Sequence, residues 1–145
     1  MATIDLTTEA FKKEIFDYTT SQEWSYTSDV PAIIDFYADW CAPCKAVAPI
    51  LEELSEEFEG KLKIYKVNTE KEQELSGVFQ IRSIPSMLFI PTGSKQPMMQ
   101  AGALPKKALE EIIQKKCLVP KGKYWLSIKQ TVHSISHYYH RAQSL

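Results

Sequence analysis

The chain has 145 residues, of which 44% are hydrophobic and 24% charged, and its formal net charge is −1. That length fits one ordinary domain with a short appendage, and that apolar share buries a core without help from disulfides. The near-balanced charge excludes a general nucleic-acid binder, which needs a basic excess, and no apolar run approaches the roughly 20 residues of a membrane span.

In chain order, residues 2–6 alternate weakly and predict a short strand. Thr7 or Thr8 is placed to cap a helix carrying Phe11, Ile15 and Tyr18, which should end near residues 19–21. Residues 19–30 read as a loop rich in Ser, Thr and Asp, with Trp24 and Tyr26 expected as patches on the domain surface. From Pro31 to Ala38 the apolar run is too continuous for a half-exposed strand, so it predicts a central strand buried on both faces.

A helix is expected from Cys41 to Glu59, because Val47, Leu51, Leu54 and Phe58 recur at helical spacing and Gly60 follows as its stop. Pro49 falls inside it and should bend its axis. Next come a strand over 62–68, a short helix over 70–79, a strand over 86–90, a turn at 92–95 and an edge strand over 97–101, where Pro97 is tolerated. From Pro105, Leu109, Ile112, Ile113 and Cys117 mark a last core helix. The order predicts an α/β sandwich with a mixed sheet flanked by helices, over residues 1–118.

Residues 119–145 read as a C-terminal extension. Trp125, Ile128, Val132, Ile135 and Tyr139 give it an amphipathic stripe, expected to pack back on the domain or to drive self-association. His133, His137 and His140 recur along that tail, with no acidic or thiol ligand nearby to complete a metal site. They are expected on a solvated polar face.

The chemistry concentrates in Trp40-Cys41-Ala42-Pro43-Cys44-Lys45, at the junction of the buried strand and the long helix. A thiolate in the first turn of a helix meets unpaired backbone N–H groups and the positive end of the helix dipole, and both favour the anion. Cys41 is placed to be the exposed nucleophile. Cys44, three residues on and on the same face, is placed to be the shielded resolving thiol. A zinc knuckle would need a second ligand pair, which the lone Cys117 does not supply. A purely structural disulfide would close a trivial loop for little gain. No metal and no cofactor are implied. Cys117 is expected as a buried, inert thiol.

Residues 31–49, Pro-Ala-Ile-Ile-Asp-Phe-Tyr-Ala-Asp-Trp-Cys-Ala-Pro-Cys-Lys-Ala-Val-Ala-Pro, strongly resemble the thioredoxin family. So do Lys63-Ile64-Tyr65-Lys66-Val67-Asn68, Ile81-Arg82-Ser83-Ile84-Pro85-Ser86 and Gly102-Ala103-Leu104, in the same order. The resemblance covers roughly residues 2–118 and implies the thioredoxin fold. It implies that Asp35 is a buried acid behind the disulfide, moving a proton to and from Cys44, and that Lys66 pairs with it. It also implies a cis-proline at Pro85, which presents the Ile84 backbone to an extended substrate. Trp40 would shield the sulfurs, Ala42 and Pro43 would flank them, and Gly102 would keep the adjacent groove open.

Three departures from the family pattern bear on potential and partner choice. Ala42 stands where the commonest thioredoxin site has glycine, and Ser83 replaces a frequent glycine. The loop at 19–30 lengthens the first connection by about ten residues.

The expected function is a thiol–disulfide oxidoreductase, most directly a reductase of protein disulfides. Its partners would be client proteins with disulfides or thiols and a reductase that donates electrons. The alternative is a non-catalytic binding module docking a partner through the groove, the 19–30 loop or the tail. The joint presence of Cys41, Cys44, Asp35 and Pro85 favours chemistry, since docking does not require that set. The odd cysteine count and the absence of a leader pattern at Met1-Ala2-Thr3-Ile4-Asp5 point to the cytoplasm, or to a bacterial periplasm if a leader has been removed.

Overall fold

The apolar run after Pro31 becomes strand β2 (Ala32–Tyr37), buried at every position but the last. It can be buried on both faces because it lies in the middle of a five-stranded sheet with helices on either side. The other strands are β1 (Ile4–Asp5), β3 (Lys63–Asn68), β4 (Ser86–Ile90) and β5 (Met98–Ala101), and the spatial order is β1-β3-β2-β4-β5. β3 runs parallel to both β1 and β2, whereas β4 runs antiparallel to β2 and to β5. In this computed structural model residues 3–118 are described. The expectations for the stripe from Trp125 to Tyr139 and for His133, His137 and His140 lie outside those residues.

The alternation of side chains along each strand sorts the core into two layers. Ile34, Phe36, Tyr65, Val67 and Leu88 face helix α1 (Thr8–Glu14) and helix α3 (Gln73–Val78), which contribute Phe11, Leu75 and Val78. Ile33, Ile64, Met87 and Phe89 face helix α2 (Ala42–Glu57) and helix α4 (Lys106–Ile112), which bring Val47, Leu51, Leu54 and Leu109. The parallel pair β2–β3 needs a crossover, and α2 supplies it. Pro49 lies inside α2, which ends at Glu57 with Phe58 as its cap, two residues short of the expected Glu59. Gly60, at φ +78°, serves the turn that follows, where the Lys61 amide donates to the Phe58 carbonyl at 2.8 Å, rather than the helix stop itself.

Several boundaries differ from the sequence reading, each for a local reason. α1 begins as expected, with the Thr7 hydroxyl accepting the Ala10 amide at 3.1 Å. It ends at Glu14 rather than near residue 20, because Asp17 takes over the following donors. Its carboxylate accepts the Thr19 amide at 2.9 Å, and its carbonyl accepts the Ser21 amide at 3.1 Å. α3 starts late because the Asn68 side chain accepts the Glu70 and Lys71 amides and holds that stretch in a turn. The last helix changes register: from Ile113 to Cys117 it widens into a π-helical turn, with the Leu118 amide donating to the Ile113 carbonyl at 3.0 Å. Leu109, Ile113 and Cys117 thereby all stay buried.

The surface role expected of Trp24 and Tyr26 is overturned. Both are buried, at 4% and 2% exposure, within the α1-side core. The indole packs on Phe16 with ring centroids 4.9 Å apart. Tyr26 exchanges two backbone hydrogen bonds of 3.1 Å with Gly93, and its hydroxyl donates to the Val30 carbonyl at 2.9 Å. The long loop thus closes the bottom of the core instead of hanging from it.

Truncating this plug should be costly. Trp24→Ala is expected to destabilise the protein by about 3–5 kcal/mol in urea unfolding, the range for emptying a buried aromatic site. A loss under about 0.5 kcal/mol would return Trp24 to the surface.

Candidate active site: a disulfide at the start of a helix

β2 runs out at Tyr37, and residues 38–40 turn the chain, with the Cys41 amide donating to the Ala38 carbonyl at 3.2 Å. α2 then begins with Cys41 as its N-cap, in an extended conformation, and with Pro43 in the first turn, where its missing N–H costs nothing. The Cys44 amide N–H points at Cys41 Sγ at 3.2 Å, so the sulfur fills the place of a capping oxygen. Cys41 and Cys44 are joined by a disulfide, their Cα atoms 5.2 Å apart.

The expected contrast between an exposed Cys41 and a shielded Cys44 is absent in this oxidised state, where they are 4% and 3% exposed. Ala38, Tyr37 and Ile84 pack around the pair. Nor does Trp40 lie in that packing. It is 68% exposed, and its indole N–H donates to the Glu70 carboxylate. Ala42 and Pro43 are exposed beside the sulfurs.

The opposite wall comes from the segment entering β4. The Ile84–Pro85 peptide is cis, and the Ile84 carbonyl oxygen stands 3.7 Å from Cys41 Sγ. Two hydrogen bonds hold this wall in place: the Gly102 amide to the Pro85 carbonyl at 2.8 Å, and the Ser86 hydroxyl to the Ser83 carbonyl at 2.7 Å. Gly102 has φ +96°, while a Cβ built there would meet no atom within 4 Å. Backbone conformation rather than space therefore calls for glycine here.

Asp35 is fully buried in β2, on the α2-facing side that it shares with Ile33, two residues before it. Neither carboxylate oxygen has a hydrogen-bond partner, so it satisfies no local backbone group. Burial pushes its pKa up to about 7, against the opposing pull of the Lys66 charge. Lys66 is the register neighbour of Asp35 on β3, but its ammonium lies over the Tyr37 ring, 4.4 Å from the centroid. Cys117 is buried and unpaired, and burial alone pushes its thiol up to about 12, which makes it an inert core group.

The structure therefore gathers Cys41, Cys44, Ala42, Pro43, Ile84 and Pro85 at one place. Asp35 and Lys66 stand in adjacent positions on the strands that lead to it, without a direct bond between them. Sequence reading missed Glu70 and Tyr37. The first is thirty residues from Trp40, so no local pattern announces the contact. The second was legible in principle, because Tyr37 follows Asp35 by two residues and so shares its face of the sheet.

Comparison with known proteins agrees with this geometry. Residues 2–115 match the family model described as Thioredoxin. A thioredoxin of Borreliella burgdorferi is 48% identical over 111 residues, covering 77% of this chain and 94% of that protein. Thioredoxin 1 of a Nostoc species is 38% identical over 114 residues, covering 79% of this chain and 96% of its own. Among solved structures, a chloroplastic thioredoxin z superposes with a TM-score of 0.67 at 26% identity, covering 79% of this chain and 94% of that one. The chain belongs to the thioredoxin family and is a thiol–disulfide oxidoreductase that acts on protein disulfides.

Proposed function

We propose that this protein reduces client disulfides by a two-step exchange in which Cys41 attacks and Cys44 resolves. The observation that carries the reading is the position of Cys41 Sγ as the cap of α2, facing the Cys44 amide at 3.2 Å. A thiolate there gains a charge-assisted hydrogen bond and the positive end of the helix, so it forms at a pH where an ordinary thiol stays protonated.

In the reduced protein, Cys41 thiolate attacks one sulfur of the client disulfide. A bond forms between Cys41 and the client, and the client's other sulfur leaves as a thiolate that takes up a proton. Cys44 then passes its proton to Asp35 and attacks Cys41 Sγ. The internal disulfide closes, and the client's second sulfur leaves as a thiolate. Two electrons have moved from the dithiol to the client. A carboxyl group with a pKa of about 7 suits the proton transfer, because it both accepts and returns a proton near neutrality.

The client would lie extended across the site, with a backbone N–H on the Ile84 carbonyl. Trp40, Ala42, Pro43 and Gly102 would frame it, and Pro85 would form the wall opposite the sulfurs. Lys66 would moderate the charge on Asp35. A reductase must return two electrons to the Cys41–Cys44 disulfide after each turnover. We assign residues 1–118 to the redox domain and 119–145 to an extension available for self-association. A reducing compartment, the cytoplasm, suits a chain whose third cysteine is buried and unpaired.

Cys41→Ser is expected to abolish turnover of a model protein disulfide, while Cys44→Ser should accumulate a client-linked species on non-reducing gels. Full activity in Cys41→Ser would overturn the assignment. Asp35→Asn should slow resolution roughly tenfold or more and remove the rate dependence centred near pH 7; an unchanged profile would remove Asp35 from the proton path.

Linkage gives an independent prediction. The folded pKa of Asp35, about 7, lies above its ordinary value of 3.8, so the native state binds the extra proton between those values and stability falls as pH rises through them. Between pH 5 and pH 8 the parent should lose on the order of 3 kcal/mol relative to Asp35→Asn in urea unfolding. Parallel pH dependences would show that the carboxyl group is not held in this state.

A further inference from the structure

Asp5, Lys66 and Asp35 occupy one row across β1, β3 and β2. An ammonium placed beside a buried carboxyl group has an obvious partner in it. Here the partner is not taken: both Asp35 oxygens are unbonded, and Lys66 Nζ lies 4.4 Å from the centre of the Tyr37 ring. Tyr37 is two residues beyond Asp35, on the same side of the sheet.

We propose that Tyr37 is a positioning residue, whose ring holds the Lys66 ammonium off Asp35 and so keeps that carboxyl group unpaired for the resolving step. This rests on the reading of Asp35 as the proton carrier. The attraction is that of a cation for the face of an aromatic ring, which is effective within about 6 Å. It competes well here because Lys66 is half-buried while Asp35 is wholly buried. Moving the ammonium onto Asp35 would strip its remaining water as well as its contact with the ring. The ring is itself held by packing against the cluster of Ala38, Cys41 and Cys44.

Among the described residues the charged surroundings are few. Lys66 is the cation that acts on Asp35. Lys66 also feels Glu52 on α2, whose carboxylate is bound by the Thr3 amide, and Asp5 stands beside it on β1. Asp5 and Asp39 act on Tyr37. From the other side β4 and β5 present Met87 and Gln100 to the row, which carry no charge.

The test is carboxyl-carbon NMR titration of Asp35 in the oxidised full-length chain. Tyr37→Phe retains a ring face and should leave the midpoint in place. Tyr37→Leu releases the lysine and should lower the midpoint by about one unit, as an opposite charge within a few ångströms does. In a Lys66→Met background, Tyr37→Leu should have no effect. An unmoved midpoint in Tyr37→Leu overturns the proposal, and so does an equal drop without Lys66, which would mean that water had simply entered. The pH profile of client reduction should shift with the midpoint. A profile indifferent to Asp35→Asn would defeat the proton-carrier reading alone, because the NMR midpoint still decides the role of Tyr37.

Discussion

The first turn of α2 has backbone N–H groups with no helical partner, and a sulfur takes the position where such groups are usually met by Ser, Thr or Asp. Much of the surrounding architecture serves that meeting. β2 must end at Tyr37 so that the turn at 38–40 can deliver Cys41 to the helix start. Pro43 fits because the first turn has no use for its missing N–H. The antiparallel pairing of β4 with β2 brings Ile84 to the far side of the same sulfur, 3.7 Å away. A shift of one residue in either strand would turn these groups to the wrong face.

Against this sits a deliberate weakness. A buried carboxyl group without a hydrogen bond is expensive, and leaving it ionised is more so. The fold tolerates it at the centre of the sheet, where Ile33 and Met87 provide a dry environment. The nearest cation does not neutralise it, because that cation lies over an aromatic ring. The result is a buried carboxyl group whose pKa is pushed up to about 7, held at the cost of stability at higher pH. Cys117 marks the contrast: burial raises its thiol as well, but with no helix start and no exchange partner the effect is simply inertness.

Much of this was legible in the sequence because it is local. The unbroken run before Ala38 specifies a doubly covered strand, the spacing of Val47, Leu51 and Leu54 specifies the helix after it, and Thr7 marks a cap that the structure uses. Strand β4 begins and ends where its composition says. An aspartate in an otherwise apolar strand is conspicuous on one-dimensional grounds alone. What was hidden depends on partners remote in the chain. Trp24 and Tyr26 sit in a polar stretch, and only the packing of Trp24 on Phe16 and the bridge from Tyr26 to Gly93 show that they fill the core. Trp40 has Glu70 as its partner, and Lys66 has a tyrosine ring in preference to the carboxyl beside it. The widened turn at Ile113–Cys117 was masked because its apolar spacing of four also suits an ordinary helix.

The reading of Cys41 and Cys44 as a reversible couple that reduces other disulfides rests on their redox equilibrium. The most direct measurement equilibrates the full-length chain in thiol–disulfide buffers of graded potential at pH 7, with the two states quantified by alkylation and mass spectrometry. The expected result is a single two-electron transition confined to Cys41 and Cys44, at a potential near the about −270 mV of reducing members of the family. A midpoint above about −180 mV, in the range of disulfide-forming catalysts, would contradict it, as would a disulfide that opens only on unfolding.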